Sequence, residues 1–184
     1  MPLRISFDLD DDDLKHFRLI MLEARKAAAK LAPEDIVAAA EALLTSVDEE
    51  KSPAFINERL EKLRVMIRMI TDLEWRLPHD DATRVLNALA YFEEPEDLIP
   101  DNIPGLGYLD DAIMIELVAR ELKHEIDAYK DFCEFRSAAR ETASDATVSR
   151  EDWLDSRRAE LQSRMRRRRK RHLQRSGVMS RLLD

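Results

Sequence analysis

Apolar residues at helical spacing are the feature that most limits what this chain can fold into. The clearest case lies between Ser52 and Trp75, where one face of a helix is formed by Ile56, Leu60, Leu63, Ile67 and Ile70. Similar spacing recurs along most of the chain, and only 3 of the 184 residues are Gly, which leaves little backbone for hairpin turns. We therefore predict an all-α fold, a helical bundle of about five helices with an extended basic C-terminal helix.

Turn residues and charge divide the chain into two predicted parts. An acidic helical domain is expected over residues 1–140, then a short linker of small and polar residues at 141–148 and a basic C-terminal helix over 149–184. Within the first part, one helix is expected from Ser52 to about Trp75, and another from Asp110 or Asp111 to about Arg140 without a break.

The basic helix is predicted to behave differently in its two halves. Trp153, Leu154, Leu161 and Met165 give its first half an apolar side that can dock on the body. Beyond Arg166 charge surrounds the helix, so we expect the second half to project into solvent.

Cysteine usage and the absence of long apolar runs indicate a cytoplasmic protein. Cys133 is the single cysteine, which excludes an intrachain disulfide. Residues 1–13 carry five Asp and one Arg, the wrong charge for a secretory leader. Unbroken apolar runs reach five residues, against about 20 for a membrane-spanning helix. We predict no transmembrane segment, and peripheral membrane contact stays open.

Positive charge is concentrated near the C-terminus of an otherwise acidic chain. Residues 157–181 hold eleven Lys and Arg residues against one Glu, although the whole chain has a net charge of -8. The predicted polyanion-binding or partner-binding residues are Arg164, Arg166, Arg167, Arg168, Arg169, Lys170, Arg171 and Arg175. They could pair with the acidic body of their own or another copy, or bind nucleic acid or anionic lipid. No aromatic residue follows Trp153, so any nucleic-acid contact is expected to be nonspecific.

Residues 95–111, PEDLIPDNIPGLGYLDD, form an unusual loop rich in proline and aspartate. With its flanks at 90–120 this loop resembles the hallmark of the YkvA-like family, a bacterial family of unknown function. The matching positions are Pro95, Asp97, Leu98, Ile99, Pro100, Asp101, Ile103, Pro104, Gly107, Asp110 and Asp111. The resemblance implies a helical hairpin module, linked to membranes in some members, with no assigned activity or cofactor.

The loop acids allow two readings. Asp97, Asp101, Asp110 and Asp111 could converge on a divalent cation, because hard cations take several oxygen ligands. Aspartate beside a proline or before an apolar helix is also a usual turn or cap residue. We favour caps, with Pro100, Pro104 and Gly107 shaping a rigid turn, and expect no bound metal or cofactor.

Other constellations are weaker. Glu121 and His124 have the Glu-x-x-His spacing of di-iron bundles, but His16, His79 and His172 lack a Glu three residues upstream. We therefore interpret Glu121 and His124 as a surface polar pair.

The sequence thus predicts a non-enzymatic helical interaction or regulatory module. Its partner is predicted to be another copy of the chain or a polyanion. The alternatives are nonspecific RNA or DNA binding through the arginine-rich helix, and a metal-dependent enzyme using the loop aspartates.

Overall fold

Helices make up the regular structure of this chain. The computed structural model describes residues 8–28, 30–47, 52–93, 108–142 and 150–181, and these contain seven α-helices, one short 3₁₀-helix and no strand. The α-helices are α1 (Asp11–Ala28), α2 (Pro33–Ser46), α3 (Ala54–Thr71), α4 (His79–Leu89), α5 (Leu109–Glu121), α6 (Lys123–Thr142) and α7 (Arg150–Arg181). The 3₁₀-helix is Ala90–Glu93. The all-α prediction is confirmed, with one helix more than expected.

The additional helix comes from a break in the predicted long fifth helix. α5 ends at Glu121 and α6 begins at Lys123, with the fully buried Leu122 in a turn between them. The N–H of Ile126 still donates to the carbonyl of Leu122 at 2.9 Å. Neither Gly nor Pro lies at this point, so no local signal marks the break. The prediction of one unbroken helix was wrong, because helix-forming residues on both sides do not prevent a break where the side chain of Leu122 is buried.

α3 ends four residues before the predicted Trp75. The Asp72 side chain accepts hydrogen bonds from the backbone N–H groups of Glu74 at 2.9 Å and Trp75 at 3.1 Å. An aspartate that bonds to the backbone two and three residues ahead favours a turn over further helix. Arg76 then has a φ of 47°, in the left-handed region, which also prevents continuation of the helix.

The described residues divide into two compact units. Unit 1 comprises those within 1–64 and 83–118, and unit 2 those within 65–82 and 119–184. In unit 1, α1 and α2 both contact the 3₁₀-helix. Its core includes the α3 residues Ile56, Leu60 and Leu63, whose burial agrees with the stripe predicted from sequence.

Unit 2 has an aromatic core beneath α7. Trp75 is fully buried, with its ring centroid 5.1 Å from that of Phe132 and 5.8 Å from that of Tyr129 on α6. From α7, Leu154, Leu161 and Met165 are also buried, and α6 and α7 lie in extensive contact. The first half of the basic helix is therefore packed as predicted, except that Trp153 remains half exposed against Phe135.

Asp72 links the turn after α3 to α6 through a charged hydrogen-bond network. Its carboxylate accepts from the Tyr129 hydroxyl at 2.9 Å and from Arg136 Nη1 at 2.8 Å. Burial alone would raise the pKa of Asp72, but these bonds and those from the backbone of Glu74 and Trp75 hold it below its ordinary value. Burial and the same carboxylate raise the pKa of Tyr129.

This network predicts a pH-dependent contribution of Asp72 to stability. At neutral pH we expect Asp72→Ala to lower the free energy of unfolding by about 2 kcal/mol, because several buried donors lose their acceptor. Since the folded-state pKa lies below the unfolded value of about 3.9, this contribution is complete above about pH 5. It is lost as pH falls through the folded pKa.

Urea unfolding of wild type and variant between pH 3 and pH 7 measures this difference. Glu134→Ala, at an exposed position of α6, is the matched control and should change little at any pH. A gap between wild type and Asp72→Ala that stays the same at pH 3 would contradict the assignment.

Candidate interaction surface on the C-terminal helix

Three arginines of α7 pair with carboxylates on other helices of unit 2. We call Arg164, Arg166 and Arg169 the docked cations. Arg169 Nη1 donates to Glu125 at 2.7 Å and to Asp81 at 2.8 Å. Arg166 Nη1 donates to the second oxygen of Asp81 at 3.2 Å, and Arg164 pairs with Asp131. Part of the basic run is thus already paired within unit 2.

The carboxylates of Asp81 and Glu125 are almost completely removed from solvent. Asp81 is 2% exposed and Glu125 is 0% exposed. Each lies in the first turn of its helix, α4 or α6, where the positive end of the helix dipole favours a carboxylate. Burial alone would lower the pKa of Arg169, but its hydrogen bonds to Glu125 and Asp81 raise that pKa above its ordinary value. The guanidinium is therefore a permanent charge at this contact.

Hydrogen bonds to backbone carbonyls extend the same contact toward the start of α7. Arg158 Nη1 donates to the carbonyl of Glu74 at 2.9 Å, and Gln162 Nε2 donates to those of Trp75 at 2.9 Å and Arg76 at 3.2 Å. These carbonyls belong to the turn that follows α3, where backbone groups lack helical partners. α7 therefore completes the hydrogen bonding of that turn as well as covering its apolar side chains.

The remaining members of the arginine run face solvent. We call Arg167, Arg168, Lys170, Arg171 and Arg175 the outer cations. All five are exposed, and within the described part of the chain none forms an ion pair with a carboxylate. The structure thus separates the eight predicted binding residues into three that hold α7 in place and five that are available to a partner.

Toward its C-terminal end α7 becomes exposed. The rings of His172 on α7 and His124 on α6 still contact each other, with centroids 5.8 Å apart. Residues 173–176 are all exposed, so one full turn of the helix lacks a covered side. The prediction that projection begins beyond Arg166 is corrected: Arg169 still faces buried carboxylates, and successive exposed residues begin at Lys170 and continue to Ser176.

The loop aspartates are only partly described. Asp97 and Asp101, with Pro100, Pro104 and Gly107, lie outside the described residues. Asp110 and Asp111 lie in the first turn of α5, which begins at Leu109, and Asp110 is 2% exposed. They therefore stand inside the helix rather than before it, where their charge still favours the helix N-terminus. Capping and metal binding both stay predictions.

The other candidate residues of α6 lie in polar and aromatic contacts with α6 and α7. His124 meets His172 rather than a second Glu-x-x-His pair, and Cys133 is half-buried with its sulfur 3.6 Å from Arg136 Nη2. Among the residues that the structure describes, no group of three or more His, Cys, Asp or Glu side chains is arranged to hold a metal ion.

A cleft of about 280 Å³ opens on unit 2, and its charged groups largely pair with one another. Arg158 bonds to Asp155 at 2.7 Å, and Arg76 lies 3.7 Å from Glu151. Glu74, on the same wall, accepts from Arg136 at 2.9 Å. The cleft consequently offers less unmatched charge than the outer cations do.

Asp81 and Glu125 were missed by the sequence analysis. For Glu125 the helical spacing indicated burial, because this residue falls on the apolar stripe of α6 with Leu122, Ile126 and Tyr129. An acid within an apolar stripe requires a buried cationic partner. The sequence offers several arginines for that role, so the choice of Arg169 depends on tertiary structure.

None of the described helices combines the length and the apolar character needed to cross a membrane.

The buried carboxylates predict unequal effects of neighbouring arginine substitutions. We expect Arg169→Ala to lower the free energy of unfolding by about 3 kcal/mol, because Glu125 and Asp81 lose a shared cation while remaining buried. Arg168→Ala, the matched control one position earlier, should change it by less than about 0.5 kcal/mol. Thermal and urea unfolding measure both.

A second comparison separates lost charge pairing from lost packing. Adding Glu125→Leu to Arg169→Met should recover part of the stability, because the combination removes one unpaired buried charge. Equal, small losses for Arg169→Ala and Arg168→Ala would show that the pairing does not hold α7 in place.

Comparison with known proteins finds a match for the segment that runs from within α4 to within α5. Residues 83–117 match the family described as "Protein of unknown function (DUF1232)", and both described ends of this segment lie in unit 1. The chain is 42% identical over 43 residues to a protein of Bacillus subtilis (strain 168) named "Uncharacterized membrane protein YkvA". These residues are 23% of this chain and 41% of that protein, so the chain matches less than half of its relative.

No solved structure matches the chain. The family resemblance predicted from the PEDLIPDNIP loop is nevertheless confirmed by both sequence matches. Residues 83–117 are therefore similar to the DUF1232 family and to its YkvA-like relative, and the match covers this segment rather than the whole chain.

Proposed function

We propose that this chain is a non-enzymatic interaction module that presents the outer cations of α7 to a polyanionic partner. The observation that supports this proposal is the division of the arginine run. Asp81, Glu125 and Asp131 pair with the docked cations, while the five outer cations remain exposed. Both groups alternate along the same few turns of helix.

Anchoring makes the outer cations more effective than an equally charged flexible tail. A disordered segment loses conformational entropy when a partner orders it, whereas a helix already held in place loses less. α7 is anchored by buried apolar residues and by the docked cations. Its outer surface is thus preorganised for binding.

The charges also match a phosphate-rich or sulfate-rich partner. Four of the five outer cations are arginines, whose planar guanidinium forms paired hydrogen bonds with such groups. Several such contacts on one helix produce affinity that falls steeply as salt rises.

Immobilised heparin tests this proposal independently of any natural partner. Replacing all five outer cations by Gln should lower the salt concentration at which the protein elutes by at least half, since these cations supply the binding. The melting temperature should change little, because the replaced side chains are exposed.

The matched control removes the same amount of charge elsewhere. Arg18, Lys26, Lys30, Arg68 and Lys130 are five exposed cations distributed outside α7. Replacing them by Gln should leave elution close to that of wild type. If both five-residue variants elute together, net charge alone governs retention and the proposed surface is wrong.

A further inference from the structure

The outer cations occupy a broad arc of α7 rather than a narrow stripe. At 3.6 residues per turn, Arg168, Arg171 and Arg175 lie within about 60° of one another. Arg167 and Lys170 extend this arc to about 160° around the helix, on the side away from the buried Met165. A partner must therefore offer negative charge on more than one side of the helix to meet all five.

The same arc contains no apolar side chain. Between Arg167 and Arg175 its remaining member is Gln174, and the exposed Leu173 lies outside it on the opposite flank. A helix that binds a lipid surface inserts an apolar face beneath its charged one. Between Arg167 and Arg175 the outer surface of α7 lacks that face, so this part of the helix disfavours a bilayer.

A nucleic-acid duplex has the required distribution of charge. The major groove of B-form DNA is about 12 Å wide and lined on both sides by phosphates, and an α-helix with side chains measures about 10–12 Å across. Over Arg167–Arg171 the exposed arc of α7 can face such a groove, and residues 173–176 are exposed on all sides. Arginines on both flanks of such a helix can reach phosphates on both strands.

The side chains on the outer surface of α7 are suited to contact the phosphate backbone of a nucleic acid rather than its base edges. No Phe, Tyr or Trp lies on α7 after Trp153, so unstacked bases of a single strand find His172 as the one ring in that part of the helix. Gln174 is the one uncharged polar side chain in the outer arc that could reach a base edge. The other contacts from this surface would be made to phosphates, which position a protein on the duplex without recognising its sequence.

We infer that the outer cations of α7 bind the phosphate backbone of double-stranded DNA, with the helix lying in the major groove and little preference for sequence. This inference rests on the proposed polyanion-binding function and names its ligand. The net charge of -8 opposes binding, but screening acts over about 8 Å at physiological ionic strength and limits that repulsion.

Fluorescence anisotropy with the full chain and two unrelated 24-base-pair DNA duplexes tests the inference. Five phosphate contacts predict a slope of about -4.5 for the logarithm of affinity against that of salt concentration. Affinity should then fall about 500-fold between 50 and 200 mM salt. The two duplexes should bind within about threefold of each other.

Competing ligands separate the inference from the broader proposal. Duplex RNA of equal length should bind at least tenfold more weakly, because its major groove is too narrow to admit a helix. Single-stranded DNA should also bind more weakly. Tighter binding to either, or to vesicles containing anionic phospholipid, overturns the DNA assignment.

Variants and self-association complete the test. The five-Gln variant of α7 should lose at least 50-fold in DNA affinity, whereas the scattered control variant should lose less than threefold. Binding to heparin without binding to duplex DNA would overturn this inference and leave the proposed function standing. Failure to bind either ligand would remove both. A dimer in sedimentation that the five-Gln variant abolishes would also remove both, because the outer cations would then contact a second copy.

Discussion

Asp81 and Glu125 are buried carboxylates, and the position of α7 depends on the guanidinium that they share. Removing two negative charges from water is unfavourable unless a cation and hydrogen bonds replace the lost solvation. Arg169 lies within 2.8 Å of both, and Arg166 meets the second oxygen of Asp81 at 3.2 Å. Any arrangement of unit 2 that moved α7 away would expose this charge imbalance together with the buried Leu161 and Met165.

This contact explains how one basic run serves two roles. Residues three or four apart lie on one helix face, whereas adjacent residues point in different directions. Arg169 therefore faces the buried carboxylates while Arg168 and Lys170 remain exposed. Because the inward-facing arginines fix the helix, their neighbours form a rigid charged surface, on which the proposed polyanion binding depends.

The segment that matches the DUF1232 family and the proposed binding surface lie in different parts of the chain. The DUF1232 match covers residues 83–117, whereas the outer cations lie on α7 in unit 2. The described part of the matched segment contributes buried side chains and an ion pair from Glu116 to Arg59 at 3.3 Å in unit 1. The proposed function therefore rests on the geometry of α7, and the relative's name carries no part of it.

Sequence by itself determined the all-helical class, most helix starts and the concentration of positive charge, because these follow from local spacing, proline positions and composition. The stripe Ile56, Leu60 and Leu63 could be predicted in this way. The turn at Asp72 starts from local bonds to Glu74 and Trp75 and is tied to α6 by the distant Tyr129 and Arg136. Tertiary structure alone decided the break at Leu122 and which arginines are exposed. Both depend on groups distant in sequence, because burial and long-range ion pairs select one local conformation among several that the residues allow.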